Sequence, residues 1–461
     1  MGSSKRLTPY HFIILGFAAT ILVGTVLLRL GVCHEGGELS WLDALFTATS
    51  ATCVTGLAVV DTGSFFSTTG QSVILGLIQI GGLGVMTYTS LVFYLWRKRI
   101  SLSDRMAVRQ SLLHDPAFHL GSFLKRVVLG TLLIETLGAA VLFLMDPAEF
   151  SPYSALFHSI SAFCNAGFGL RGDSLSAFEV NYGVNAVFMV LITLGGLGFA
   201  VLLELAERLS PAAAVRRRRN AETHPGRRPR LTWHARVVLS TSLWLVVGGA
   251  VVIYLAEFAL HQGHFSHAEK FLGSLFQSVT CRTAGFNTIS IGQMTNISLL
   301  VMIALMFIGG SPGSCAGGVK TTTVRALAAF ALARIKGRRQ AVVQGQFAMD
   351  EGSMNDALLL ILYGMVIVGT GALALSITEV GALPHDQTRG MFLEILFECV
   401  SAFGTVGLST GLTPQLTAPG KIVITVLMFV GRLGPIVFVS TLHDMQRRER
   451  FTWPEKRLPI G

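Results

Sequence analysis

Charge is scarce in this chain. Only 13% of its 461 residues are Asp, Glu, Lys or Arg, about half the fraction of an ordinary soluble domain, and 51% are hydrophobic. A soluble protein of this length breaks its apolar runs with polar faces. Here runs of about 20 residues recur at 11–30, 71–96, 121–145, 183–205, 237–260, 354–378 and 420–442, each long enough to cross a hydrocarbon core of ~30 Å. The first run begins after Lys5 and Arg6, lacks a small-x-small cleavage site and ends at Arg29, so it reads as a retained helix rather than a signal peptide. Cysteine is scarce too. Cys33, Cys53, Cys164, Cys281, Cys315 and Cys399 form no CxxC pair, which argues against metal ligation and a disulfide framework. HExxH and Walker motifs are missing, and His261, His264 and His267 share one linker that reads as solvated loop. The chain therefore reads as a membrane protein and not as an enzyme.

The charge that is present is unevenly placed. Residues 97–126 hold seven Lys/Arg, 208–236 hold nine, and the tail after Met445 is basic, whereas 31–70 hold none and 146–182 only Arg171. By the positive-inside rule the basic connections and both termini are cytoplasmic. The outward segments carry Glu35, Glu38, Asp43 and Asp61, then Asp146, Glu149, Asp173 and Glu179, a sign that concentrates cations outside. The net charge of +10 thus needs no nucleic-acid partner, although the basic face would also suit anionic lipid.

One unit recurs four times. The stretches SATCVTGLAVVD (50–61), SAFCNAGFGL (161–170), SVTCRTAGFNT (278–288) and SAFGTVGLST (401–410) align on Gly56, Gly167, Gly285 and Gly407, which lie 111, 118 and 122 residues apart. Each follows a moderately apolar segment too short to span: 41–51, 153–163, 268–279 and 388–400. Such segments suit re-entrant helices, because backbone at that depth must be buried in protein or line a watery cavity. Their C-terminal, partially negative ends would point inward and favour a cation. The helices that follow carry QIGGLGVMT (79–87), TLGGLGFAV (193–201), FIGGSPGSC (307–315) and FVGRLGPIV (429–437). Those glycines fit close helix packing or an inner lining shared by equivalent helices.

The fold class expected is all-α: four covalently linked helix–pore-loop–helix units around one pore in pseudo-fourfold arrangement, with eight spanning helices and four re-entrant ones. The unit borders fall at 1–100, 101–215, 216–340 and 341–461. An inverted-repeat transporter would show two halves of opposite topology, whereas these units share one orientation.

A dehydrated monovalent cation needs oxygen dipoles, and turned backbone carbonyls supply them. Glycine permits the turning. The filter candidates are Thr52, Cys53, Val54, Thr55 and Gly56; Cys164, Asn165, Ala166 and Gly167; Thr283, Ala284 and Gly285; and Gly404, Thr405, Val406 and Gly407. The ion would sit at the carbonyls of Val54, Thr55, Asn165, Ala166, Thr283, Ala284, Thr405 and Val406. From Thr52, Cys164, Cys281 and Gly404 up to the four glycines only Arg282 is ionised, which argues against a calcium site built from carboxylates; it reads as a brace behind its loop. In the third unit the second helix, from about Asn296 to Arg334, cannot stay regular through the Gly/Ser/Pro-rich stretch 309–318. That stretch reads as a flexible loop beneath the filter or as a simple kink.

TCVTGL (52–57), NAGF (165–168), RTAGFNT (282–288), GTVGLS (404–409) and GGSPGSCAGGVKTTT (309–323) resemble the potassium-translocating subunit of the Trk/Ktr/HKT superfamily. The match covers nearly the whole chain, and KtrB is the nearer comparison because no extra N-terminal helix pair precedes the first unit. The resemblance implies potassium uptake across a bacterial cytoplasmic membrane, with K+ as the transported ion and Na+ as a candidate activator. It further implies a homodimer and a ring of cytoplasmic, KtrA-like nucleotide-binding subunits. One glycine per loop leaves a less selective sodium/potassium transporter as the alternative. The gate implied comprises Gly309, Gly310, Ser311, Gly313, Ser314, Gly317 and Gly318, with Lys320 and Arg432. Two readings stand for Arg432: holding the gate loop, or an internal ion pair with Glu135 or Glu398. Lys320 is open between the same alternatives.

Overall fold

The computed structural model describes residues 9–83, 120–210, 231–258, 266–338, 340–343, 347–381, 383–384 and 386–445. Most of the basic connections 97–126 and 208–236, the tail after Met445, and His261 and His264 lie outside them. Among the described residues the chain is helical, with one two-stranded hairpin, Val342–Val343 against Phe347–Ala348.

One order of elements recurs four times: a long helix, a short helix, a loop and an inner helix. The long helices are Pro9–Leu28, Leu120–Met145, Trp233–Ile253 and Glu351–Glu379. The short ones are Trp41–Cys53, Pro152–Phe163, His267–Thr280 and Met391–Gly404, and the inner ones begin at Thr68, Tyr182, Asn296 and Ala418. Local chemistry explains where the short helices start. Ser40 accepts from the Asp43 amide and Ser151 from the Ser154 amide, with Pro152 at the first helical position. Ser266 and Glu269 form a reciprocal capping box. The fourth short helix has no side-chain cap and starts after Gly390, three residues later than the sequence segment 388–400 implied.

Among the described residues three segments are each long and apolar enough to cross a membrane: Phe123–Met145, Trp233–Glu257 and Glu351–Glu379. Not more than 39% of any of them is buried inside the protein. Leu133, Trp244 and Leu373 on these helices stand 61%, 73% and 65% exposed. Surfaces this apolar need an apolar surrounding, so the fold is that of a membrane protein. Ile13–Leu28 and Asn296–Phe307 are apolar but shorter, and the expected span 71–96 is described only as far as Leu83.

The run 183–205, read from sequence as one span, departs from that reading. Tyr182–Leu197 and Phe199–Leu209 meet at an angle of 111°. The hinge is Gly198, at φ +89° and ψ 142°, a conformation closed to residues with a side chain. A Cβ there would also stand 2.6 Å from the Pro312 carbonyl oxygen of the next quarter.

Packing closes the four quarters into a ring. Each long helix packs on its own short helix, and each short helix on its own inner helix in the first, second and fourth quarters. Every inner helix also packs on the short helix of the following quarter: Thr68–Gly82 on Pro152–Phe163, Tyr182–Leu197 on His267–Thr280, and Asn296–Phe307 on Met391–Gly404. Ala418–Met445 completes the circuit by packing on Trp41–Cys53. Lys421 and Asp43 join the same two helices through an ion pair of 2.6 Å.

Candidate functional site: four loops and the segment beside them

The four loops share an unusual backbone. Gly56, Gly167, Gly285 and Gly407 have φ of +94°, +71°, +80° and +91°. Two residues before each stands a left-handed non-glycine: Val54 (58°), Asn165 (59°), Thr283 (71°) and Thr405 (51°). Three of these are β-branched, for which this region is a genuine outlier. A residue forced there costs about 1–3 kcal/mol and persists only where surroundings over-determine it. Alternating backbone hand over three residues turns carbonyls away from the usual ladder directions, and all four loops do it at one register.

The loops also meet at those glycines. A Cβ on Gly56 would lie 2.5 Å from the Ala166 carbonyl oxygen, one on Gly167 2.9 Å from that of Ala284, and one on Gly285 2.5 Å from that of Val406. A Cβ on Gly407 would overlap the Thr55 carbonyl oxygen. The contacts run from first to second to third to fourth loop and back to the first. A side chain at any of the four would press on the neighbouring loop's backbone.

Hydroxyls on the short helices tie each loop down, a role the sequence motifs contained but did not declare. Ser50 and Ser401 accept from the amides of Gly56 and Gly407, both at 3.1 Å. Ser161 donates to the Phe168 carbonyl at 2.6 Å and Thr280 to that of Phe286 at 2.5 Å. The buried hydroxyls of Thr52, Thr55 and Thr283 have no partner among the described residues. Thr52, Cys53 and Gly404 belong to the last turns of their short helices, and Cys164 is a cap residue, so the loops proper are shorter than the sequence stretches implied.

The inner-helix glycines resolve into packing positions. Cβ atoms on Gly81, Gly195 and Gly431 would overlap the carbonyl oxygens of Thr52, Phe163 and Phe403, each four residues before its loop glycine. In the third quarter Gly309 instead approaches the Gly317 carbonyl, because the inner helix is broken there.

That break runs from Ile308 to Lys320, between Asn296–Phe307 and Thr321–Ile335. The segment is fastened from three sides. Gly196 and Gly195 carbonyls, at the end of the second inner helix, accept from Ser311 N at 3.0 Å and Cys315 N at 3.3 Å; Phe199 N donates back to Gly313 O at 3.0 Å. Those bonds give the bend at Gly198 its cause. Gly317 N donates to the Thr405 hydroxyl at 3.0 Å, linking the segment to the fourth loop. Ser314 and Thr321 bond to Ser311 at 2.6 and 3.2 Å, and Gly309 N bonds to Val319 O across the neck.

Arg432 is the third fastening. Only 6% exposed, it donates to the Cys315 carbonyl and, at 2.5 Å, to the Gly81 carbonyl of the first inner helix. Lys320 donates to the Ala316 carbonyl at 2.6 Å. Neither cation forms an ion pair among the described residues. Glu135 instead accepts from Gln79 at 3.2 Å, and Glu398 is taken up by Ser409, Thr410 and Thr413. The ion-pair reading of both cations is therefore corrected: carbonyls replace the carboxylates. Arg282, 7% exposed, donates to the Ser242 carbonyl at 3.3 Å and the Gly309 carbonyl at 3.4 Å. All six cysteines are buried free thiols, and Cys164 lies 3.7 Å from a Glu135 oxygen.

Apolar, outward-facing long helices around four short helices with strained, mutually touching loops define a helical membrane protein. Residues 6–446 match the family described as TrkH, cation transport protein. The chain is 38% identical over 440 residues to Ktr system potassium uptake protein B of Bacillus subtilis (strain 168), covering 94% of this chain and 93% of that protein. It is 36% identical over 467 residues to potassium/sodium uptake protein NtpJ of Enterococcus hirae, covering 99% and 98%. The crystal structure of the potassium transporter TrkH from Vibrio parahaemolyticus superposes with a TM-score of 0.71 at 17% identity, over 95% of this chain and 86% of that one. The chain belongs to the TrkH family of cation transport proteins.

Proposed function

We propose that this chain is the membrane subunit of a potassium uptake system, conducting K+ along the axis where the four loops meet. One observation carries the proposal: positive-φ glycines at one register in four loops, each preceded two residues earlier by a left-handed non-glycine. Backbone carbonyls so turned are a substitute for the hydration shell of a dehydrated monovalent cation. The ends of four short helices add partial negative charge at the same place. The relatives named for potassium uptake support the choice of ion.

In this reading the four quarters, with borders near 100, 215 and 340, are pseudo-fourfold units with eight spanning and four re-entrant helices. The carbonyls of Val54, Thr55, Asn165, Ala166, Thr283, Ala284, Thr405 and Val406 hold the ion. The segment 309–318, with Lys320 and Arg432, is the gate, held shut by the bonds to Gly195, Gly196, Thr405 and Arg432. The protein works as a homodimer in the cytoplasmic membrane with both termini inside, beneath a nucleotide-binding regulatory ring on its basic face. A less selective reading rests on the relative named for potassium and sodium uptake. Growth rescue of a transport-deficient bacterium in limiting potassium, with K+, Na+ and Rb+ uptake compared, tests both. Rescue with K+ preferred supports the first reading, equal uptake of K+ and Na+ the second, and no cation uptake by membrane-inserted protein defeats both.

A further inference from the structure

Nine residues before the loop glycine, the second and fourth short helices carry His158 and Glu398, side chains that are 2% and 0% exposed. Each reaches the backbone three residues beyond the glycine. His158 Nε2 lies 3.3 Å from the Leu170 amide nitrogen, and its Nδ1 lies 2.8 Å from the Ser154 carbonyl. A carbonyl only accepts and an amide only donates, so Nδ1 carries the proton and Nε2 is the bare acceptor. Glu398 accepts from the Thr410 amide at 3.2 Å and from the Ser409 hydroxyl through one oxygen, and from the Thr413 hydroxyl at 2.7 Å through the other. One device thus occurs twice, built from chemically different side chains.

The other two loops lack it. Thr47 occupies the position in the first quarter, and its hydroxyl has no partner among the described residues. In the third quarter the position falls at Phe276, or at Leu275 if its one-residue-longer interval is allowed for, and neither can accept a hydrogen bond. The third loop is held from the second quarter instead, with Leu175 N donating to Asn287 O at 3.0 Å and Asn287 N to the Ser174 hydroxyl at 3.2 Å. Because the loops touch in the order first, second, third, fourth, the two braced loops stand across from each other.

We infer that His158 and Glu398 are positioning residues that fix the outer ends of two opposite walls of the conduction path and thereby set how well it tells K+ from Na+. The inference rests on the filter reading above. Neither residue touches the ion; each acts through an amide just outside the loop. Apolar rings surround the imidazole, with Phe150, Phe157 and Phe188 centroids at 5.6, 6.0 and 6.2 Å. The Leu170 amide therefore has no substitute acceptor at that face if His158 is lost.

The test uses the full chain in cells, with uptake normalised to the amount of protein in the membrane. Expected for H158L and E398L is an about tenfold loss of K+-over-Na+ preference with a raised KM for K+ and Vmax within about twofold, a split that general destabilisation does not produce. H158Q and E398Q restore an acceptor and are expected within about threefold of wild type, and T47V is expected to match it. Membrane-inserted leucine variants with wild-type KM and preference would overturn the inference, as would glutamine variants as impaired as the leucine ones. If the leucine variants do not reach the membrane, a tenfold loss in either inserted glutamine variant overturns it. G167S and G407S separate the two levels. Lowered preference there with none in H158L and E398L removes the braces alone, and no change in any variant removes the filter reading.

Discussion

Replacing Gly285 by serine tests the loop geometry most directly. The residue has φ +80°, and a Cβ added to it would stand 2.5 Å from the Val406 carbonyl oxygen and 2.9 Å from the Gly167 Cα. The side chain has two unfavourable ways out. Keeping the left-handed backbone costs about 1–3 kcal/mol, and the overlap still pushes the fourth loop's carbonyl. Relaxing φ removes the turned carbonyls of the third loop. If that free energy is taken from the difference between binding K+ and Na+, discrimination falls by roughly 5- to 150-fold, since each 1.4 kcal/mol is tenfold. The assay is competitive 86Rb+ or K+ uptake against Na+ in cells whose membrane content of the protein is measured. Gly381→Ala is the control, because its φ is +60° yet a Cβ there meets nothing within 4 Å. It shares the backbone strain without the collision and lies outside the loops. A folded Gly285→Ser protein with unchanged K+-to-Na+ preference would refute the reasoning.

Arg432→Gln removes a charged donor from two carbonyls that are themselves buried, and hydrogen bonds to charged groups are worth about 1.5–3 kcal/mol each. Transport velocity should rise severalfold with little change in ion preference; an unchanged or lower velocity in inserted protein argues against Arg432 as a gate fastening. Lys421 and Asp43, 17% and 21% exposed, close the circuit between the last and first quarters. Asp43→Asn should lower stability by roughly 1 kcal/mol, less in high salt, as read by thermal unfolding in detergent. The Ser266 amide and hydroxyl hold the Glu269 carboxyl below the usual carboxylate range. A depressed carboxyl contributes stability above its unfolded pKa and loses it as pH falls through the folded one. Glu269→Gln should therefore melt lower than wild type at pH 7, with the gap narrowing toward pH 4; a gap constant with pH would count against the capping box as its source.

The sequence carried the loops because their chemistry is local. Glycine at φ above +70° leaves a glycine in the text whatever surrounds it, and Ser40, Ser151 and Ser266 mark three of the four short-helix starts. The fourth start was misplaced because Gly390 replaces the polar cap. The bend at Gly198 was missed for a different reason. Its glycine sits among others in an apolar run, and its cause is the Gly313 carbonyl in another quarter. The partners of Arg432 and Lys320 were equally illegible, since a backbone carbonyl has no letter, and the two buried acids offered themselves as false partners. His158 and Glu398 stand in short helices that also carry Ser154, Ser159 and Glu394, so the sequence does not set them apart. Their meaning lies in a shared distance to Leu170 and Thr410 that emerges once the loops are folded.

The seam between Ala418–Met445 and Trp41–Cys53 joins the fourth quarter to the first. A ribosome delivers the first quarter's side of that seam well before the fourth quarter's. Until the last quarter enters the membrane, the first loop has no neighbour on one flank, and its turned carbonyls face lipid that cannot hydrogen-bond them. A chain stalled before residue 391 would thus be an open arc with polar backbone at its ends, a ready substrate for membrane quality control. Closure of this ring is in that sense all-or-none, decided when the fourth quarter is made.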